Sequence, residues 1–178
     1  GCTFKEIVTA VGMKQSQFFI PKENTPPKTV ATYRYEDKDG GHVMDVVRFE
    51  PKGFRPKKPD GKWTLDGVTR VPYRLPQLLS GIKEGREILI LEGEKDCDNA
   101  KSLGLVATTF AGGAGKWREE YSKWFHGAKV ICLPDNDPAG HKGMHDIASN
   151  LSEVAESVRW LVLPDIPEKG DFSDWINI

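Results

Sequence analysis

The chain has 178 residues, 38% hydrophobic and 29% charged, with a formal net charge of −1. That length carries one substantial domain, or a domain with a smaller companion, and the balance excludes a disordered or fibrous chain. No apolar run approaches the ~20 residues that span a bilayer, and near-neutral charge excludes a global field for nucleic acid, so any such affinity needs a local basic patch. Cys2, Cys97 and Cys132 are too scattered for a disulfide framework. Together with an opening, GCTFKEIV, that has no charged-then-apolar signal pattern, they point to a reducing compartment and a cytoplasmic protein.

In chain order, TFKEIVTAVG (3–12) predicts a short helix, with Thr3 as cap, Phe4, Ile7, Val8 and Val11 on one face, and Gly12 as stop. PKENTPPKT carries three prolines in a polar run and reads as a linker. From Val30 to Phe49 the pattern alternates as in strands, and KDGG between TVATYRYED and HVMDVVRFE signals a hairpin. Residues 51–63, PKGFRPKKPDGKW, hold five basic side chains against one acid, interleaved with Phe54 and Trp63. Such a stretch can track a phosphate backbone and stack on bases; a solvated hairpin loop is the equal alternative. RLPQLLSGIKEG then predicts a short helix.

From residue 87 the organisation becomes repetitive. EILILEG is a continuous apolar run, as in a parallel strand buried on both faces. A helix, EKDCDNAKSLG, a strand, LVATTF, a helix, KWREEYSKWFHG, and a strand, KVICLP, follow. The next helix carries the stripe Met144, Ile147, Ala148, Leu151, Val154 and Ala155. SVRWLVLP gives a last strand and DFSDWI a last helical turn. This alternation predicts βαβ units, a parallel sheet and right-handed crossovers.

The acids collect beyond the carboxyl ends of these strands, where open α/β sheets build their sites. The first strand ends at Glu92, with Glu94 and Asp96 opening the next helix; the third ends in LPDNDPAG, with Asp135 and Asp137; the fourth is followed by Asp165, Asp171 and Asp174. Paired aspartates read alone suit a turn as well as a metal site. Their convergence with Glu92 favours a metal site, and carboxylates without Cys or His favour Mg²⁺ or Mn²⁺ over zinc. Rival motifs fit poorly. An EF-hand loop and a D-x-D-x-[TV] phosphatase motif both fail at Ala139, and a Walker A motif fails at Phe110 and Trp117. Gly112, Gly113 and Gly115 fit either a phosphate-facing turn or a plain one. His141 and His145 lie one helical turn apart but have no third nitrogen or sulfur ligand nearby, which favours partly exposed helix residues over zinc. Cys97 and Cys132 read as buried small hydrophobes.

LEGEKD, LPDNDPAG and KGDFSDW resemble the Toprim domain, over roughly residues 87–178. That module is shared by DnaG-type primases, topoisomerases, OLD-family nucleases and RecR-like proteins. YEDKDGGHVMDVVRF and RVPYRLPQL are similar to the hairpin-rich region that precedes Toprim in primases, especially those of phages, plasmids and mobile elements. The resemblance implies an α/β fold: a Toprim-like parallel sheet flanked by helices, preceded by a small β-rich (α+β) subdomain. It divides the chain into a residual zinc-region tail and linker (1–27), a hairpin-rich subdomain (28–85) and the Toprim domain (86–178).

The resemblance implies synthesis of short RNA primers on single-stranded DNA from nucleoside triphosphates, with a replicative helicase as a further partner. It implies two or more Mg²⁺ or Mn²⁺ ions. Asp135 and Asp137 would be ligands, Asp171 a further one, Glu92 a general acid/base or second-metal ligand, and Asp96 a supporting acid. Arg48, Arg55, Lys57, Lys58, Arg70 and Lys116 are the candidate nucleic-acid or triphosphate contacts. The opening GC reads as the tail of a zinc-binding element cut from a longer parent, with Cys2 a stranded ligand and zinc belonging to that element. A Toprim nuclease and a nucleic-acid-binding module without synthesis are the alternatives.

Overall fold

The computed structural model describes residues 3–12 and 26–178. Cys2 and most of the proline-rich linker lie outside those residues. Helix α1 (Phe4–Ala10) starts where expected: Thr3 Oγ1 accepts from Glu6 N at 3.4 Å while Glu6 Oε2 accepts from Thr3 N at 2.7 Å, a reciprocal cap.

Strands β1 (Lys28–Glu36), β2 (His42–Glu50) and β3 (Gly53–Lys57) form an antiparallel sheet in that order. The first hairpin closes on KDGG, where Asp37 Oδ1 accepts from Asp39 N and Gly41 N at 2.9 and 2.8 Å. Tyr33 pairs with Val46, Tyr35 with Met44 and Arg48 with Phe54, so these residues share one face. Val47, opposite Arg55, belongs to the other face, with Phe49 and Lys57.

Helix α2 (Leu75–Lys83) leads to a parallel sheet of β4 (Glu87–Ile90), β5 (Val106–Thr108), β6 (Lys129–Cys132) and β7 (Ser157–Trp160), in the order β5-β4-β6-β7. Helix α3 (Glu94–Ser102) joins β4 to β5, α4 (Pro138–Leu151) joins β6 to β7, and α5 (Phe172–Trp175) ends the described fold. The expected α/β class and its small antiparallel companion are both present. The chain steps from β4 to β5 on one side, then returns to lay β6 on the other. A crevice therefore opens at the carboxyl ends of β4 and β6.

Buried Ile88, Leu89, Ile90, Val130 and Cys132 fill the sheet, and Met144, Ile147 and Leu151 of α4 cover it. The same cluster takes in Tyr33, Tyr35, Met44 and Val46 of the antiparallel sheet, so apolar packing is continuous between the two sheets. Cys97 and Cys132 are free and buried, as expected of small hydrophobes.

Two predicted elements differ. KWREEYSKWFHG is not an α-helix; the segment has 3₁₀ turns at Ala114–Lys116 and Glu119–Phe125. Trp117 and Tyr121 pack on Phe110 with ring centroids 4.8 Å away, and Phe125 lies at 6.3 Å, so the i, i+4 spacing serves an aromatic cluster. Helix α4 stops at Leu151 rather than running through Val154 and Ala155, although both still pack against the core.

Candidate active site

Strand β4 delivers Glu92 and strand β6 delivers Asp135, its neighbour in the sheet. Glu92 Oε1 accepts from Asp135 N at 3.1 Å, and Thr109 Oγ1, fully buried at the end of β5, donates to the Glu92 carbonyl at 2.9 Å. Two neighbouring strand ends thus fix the Glu92 backbone and side chain. Gly140, in the first turn of α4, makes room: a Cβ there would sit 2.2 Å from Glu92 Oε1 and 3.0 Å from the Asp135 carbonyl.

Asp137 is the N-cap of α4, its Oδ1 accepting from Gly140 N at 2.7 Å. Asp171 caps α5 in a reciprocal box with Asp174: Asp171 Oδ1 accepts from Asp174 N at 2.8 Å. Asn136 ties these two loops together. Its side-chain amide donates to the Ile166 and Pro167 carbonyls at 3.1 and 3.0 Å, and its backbone exchanges bonds of 2.9 Å with Lys169 and Gly170. Asp96, 5% exposed, accepts from Ser173 N at 3.0 Å and from the Ser173 hydroxyl. Its role is to dock α5, and with it Asp171, against α3.

Burial dominates the electrostatics. It raises the Glu92, Glu94 and Asp96 carboxyls above their ordinary range. Asp135 is pushed up to about 8, first by desolvation and then by Glu92, Asp96, Asp171 and Asp137. Among the described residues no hydrogen-bond donor reaches the Asp135 carboxylate. Nor do any three His, Cys, Asp or Glu there form a ready-made metal cage. The reason is visible in the bonds: Asp137 and Asp171 hold helix-end N–H groups, and Glu92 holds Asp135 N. The donor set nevertheless fits a hard divalent cation, because its groups are carboxylates whose crowding disfavours their own ionisation.

The predicted basic residues divide. Arg48 faces the acids: with Tyr33, Lys52, Phe54 and Lys95 it borders a cleft of about 180 Å³ that includes Glu92, Asp96, Asp135 and Asp171. Arg55 and Lys57 lie on the opposite face, 5.3 and 5.4 Å from the Trp63 ring, and Lys58 Nζ donates to the Asp66 carbonyl. Lys116 packs against Gly112, and neither it nor Arg70 borders the acidic cleft. Lys52, Lys95 and Glu94 were not among the expected site residues, although Glu94 and Lys95 stand inside the LEGEKD motif. The His141 ring lies 5.9 Å from the Trp160 ring.

No helix among the described residues is long and apolar enough to cross a membrane. No family model matches the chain, and no curated protein matches it. Solved structures do. The primase fragment of the bacteriophage T7 primase-helicase protein is 25% identical, with a TM-score of 0.59, over 83% of this chain and 59% of that one. The zinc-binding and RNA polymerase domains of Aquifex aeolicus primase are 18% identical, TM-score 0.64, over 98% and 46%. A DnaG primase catalytic domain bound to ssDNA is 21% identical, TM-score 0.58, over 78% and 45%. The chain thus spans about half the length of the structures it matches. The parallel sheet flanked by helices and the antiparallel sheet packed before it together form the fold of a DnaG-type primase catalytic core.

Proposed function

We propose that this chain is the catalytic core of a DNA primase, joining nucleoside triphosphates into short RNA primers on single-stranded DNA with the help of Mg²⁺ or Mn²⁺. One observation carries the reading: Glu92 and Asp135 meet at the crevice between β4 and β6, opposite Arg48 and Lys52 of the antiparallel sheet. Acids on one wall and cations on the other suit a triphosphate that arrives with its counter-ion. Asp135 and Asp137 would hold the ion, with Asp171 as a further ligand and Glu92 as a ligand or proton acceptor. When bound, such ions neutralise charge on the reacting phosphate and orient the attacking and leaving oxygens.

The chain's own groups do the rest in this reading. Arg48, Lys52 and Lys95 draw in the polyphosphate, and Thr109 and Gly140 hold Glu92 in place. Asp96 keeps Asp171 at the rim. Arg55, Lys57 and Lys58, beside exposed Trp63, form a separate strip suited to template phosphates and bases. Residues 28–85 then act as the subdomain that carries Arg48 and Lys52, and residues 86–178 as the one that carries the acids together with Lys95. A replicative helicase is the further partner, and the cytoplasm is the compartment where these substrates occur.

The test is incorporation of labelled nucleotides on single-stranded DNA with Mg²⁺ or Mn²⁺, resolved on a denaturing gel. Glu92→Gln and Asp135→Asn/Asp137→Asn run beside the native chain. Short new products in the native lane alone support a primase. A shortened template overturns it in favour of a nuclease, and unchanged template with no product in any lane leaves a binding module.

A further inference from the structure

The acidic cleft does not stand alone. A second cavity of about 200 Å³ adjoins it, and Phe54, Glu92, Gly93 and Glu94 border both. Each is smaller than the ~300 Å³ at which ligand clefts begin, so a single ligand extending through both is the economical occupant. The two differ in chemistry. The first is lined by charges of both signs, whereas the second, beyond the shared Glu92 and Glu94, is walled by Val46, Phe54 and the backbone of Gly93, Gly112 and Gly113. A nucleotide has the same division, with a charged polyphosphate at one end and a flatter, less polar nucleoside at the other.

Glu94 stands at the junction. It is 7% exposed, and its Oε1 accepts from the hydroxyl of Tyr35, itself fully buried, at 2.8 Å. A carboxylate has about four acceptor positions; Tyr35 takes one and the backbone N–H of Glu94 itself takes another, which leaves two. The side chain is therefore held in a fixed orientation with accepting capacity to spare, between a phosphate-like cleft and a nucleoside-like one. A sugar hydroxyl is the donor a nucleotide would bring there.

Resting on the primase reading above, we propose that Glu94 reads the sugar of the bound nucleotide. Its carboxylate accepts a hydrogen bond from the ribose 2′-hydroxyl, and the site thereby prefers ribonucleotides to deoxyribonucleotides. Tyr35 is the positioning residue that aims it.

The experiment is equilibrium binding of ATP and of 2′-deoxyATP, each with Mg²⁺, by titration calorimetry. It uses the native chain, Glu94→Gln, and the double variant Tyr35→Phe/Glu94→Leu, which removes the two side-chain partners together. Thermal unfolding checks that each variant folds. The native chain should bind ATP about tenfold or more tightly than 2′-deoxyATP, the worth of one hydrogen bond to a charged group. The double variant should bring the two within about twofold by weakening ATP alone, with Glu94→Gln between. Equal binding by the native chain, or a preference that survives in the double variant, overturns the sugar-reading role. Parallel weakening of both nucleotides also overturns it and leaves Glu94 a packing residue. A native chain that binds neither nucleotide instead overturns the primase reading, and this inference falls with it.

Discussion

Gly140→Ala tests the site at its tightest point. The added methyl would lie 2.2 Å from Glu92 Oε1 and 3.2 Å from its carboxyl carbon, where ordinary contact begins near 3.4 Å. The Asp135 carbonyl, at 3.0 Å, blocks the methyl from moving the other way. The flexible carboxylate therefore retreats by about 1 Å and loses its bond from Asp135 N, a charge-assisted bond of about 1.5–3 kcal/mol. Alanine returns up to about 1 kcal/mol of helix propensity. The net expectation is destabilisation of about 1 kcal/mol, a fall of about 2–4 °C in Tm for a chain of this size. Primer synthesis should fall far more, about 100-fold, because a misplacement near 1 Å has that effect on positioned groups. Thermal unfolding and the gel assay run on one preparation separate the two effects. Gly140→Ala with native synthesis would falsify the view that Glu92 must stay where this glycine lets it sit.

Other outcomes follow from the same geometry. Burial and the neighbouring carboxylates push Asp135 up to about 8 in the folded chain, against 3.8 for an ordinary aspartate. Between those values the native state binds the extra proton, so stability falls as pH rises, by up to about 1.4 kcal/mol per pH unit. Urea unfolding at pH 5.5 and 8.0 should show that slope without Mg²⁺, and both Asp135→Asn and added Mg²⁺ should flatten it. Ser173→Ala removes one of the two donors to buried Asp96 and should lower Tm by about 2–6 °C in a calorimetric scan. Lys52→Ala and Lys95→Ala should raise the KM for nucleotide, whereas Arg55→Ala and Lys57→Ala should leave it unchanged. Each of the latter two should instead reduce the salt slope of single-stranded DNA binding by about 0.7, measured by fluorescence anisotropy across a salt series.

Much of this site was legible before any coordinates, and for a physical reason. The apolar runs ILIL and VICL are buried but for a half-buried Ile131; such continuous runs announce parallel strands, and the acids after them must gather at one edge. The halves of the basic stretch were not separable in the same way. Arg48 and Arg55 occupy opposite faces of one hairpin because Arg48 pairs with Phe54 and Val47 with Arg55. A slip of one residue would exchange those faces, and the turn's composition does not fix the register. Glu94 was legible as one of the acids gathering beyond β4, but not its buried bond from Tyr35, 59 residues earlier in the chain. The segment 119–125 carries helical spacing, yet its period comes from aromatic rings meeting Phe110 rather than from a helix face.

The apolar core that runs from Tyr35 and Met44 into Ile88 and Ile90 bears on how the chain comes apart. Neither sheet owns a complete interior, so opening one strips water-excluding cover from the other, and the two should melt as a single cooperative unit. Amides of β2 and β4 should then exchange with solvent at one common rate, and a chain severed near residue 85 should yield no protease-resistant half.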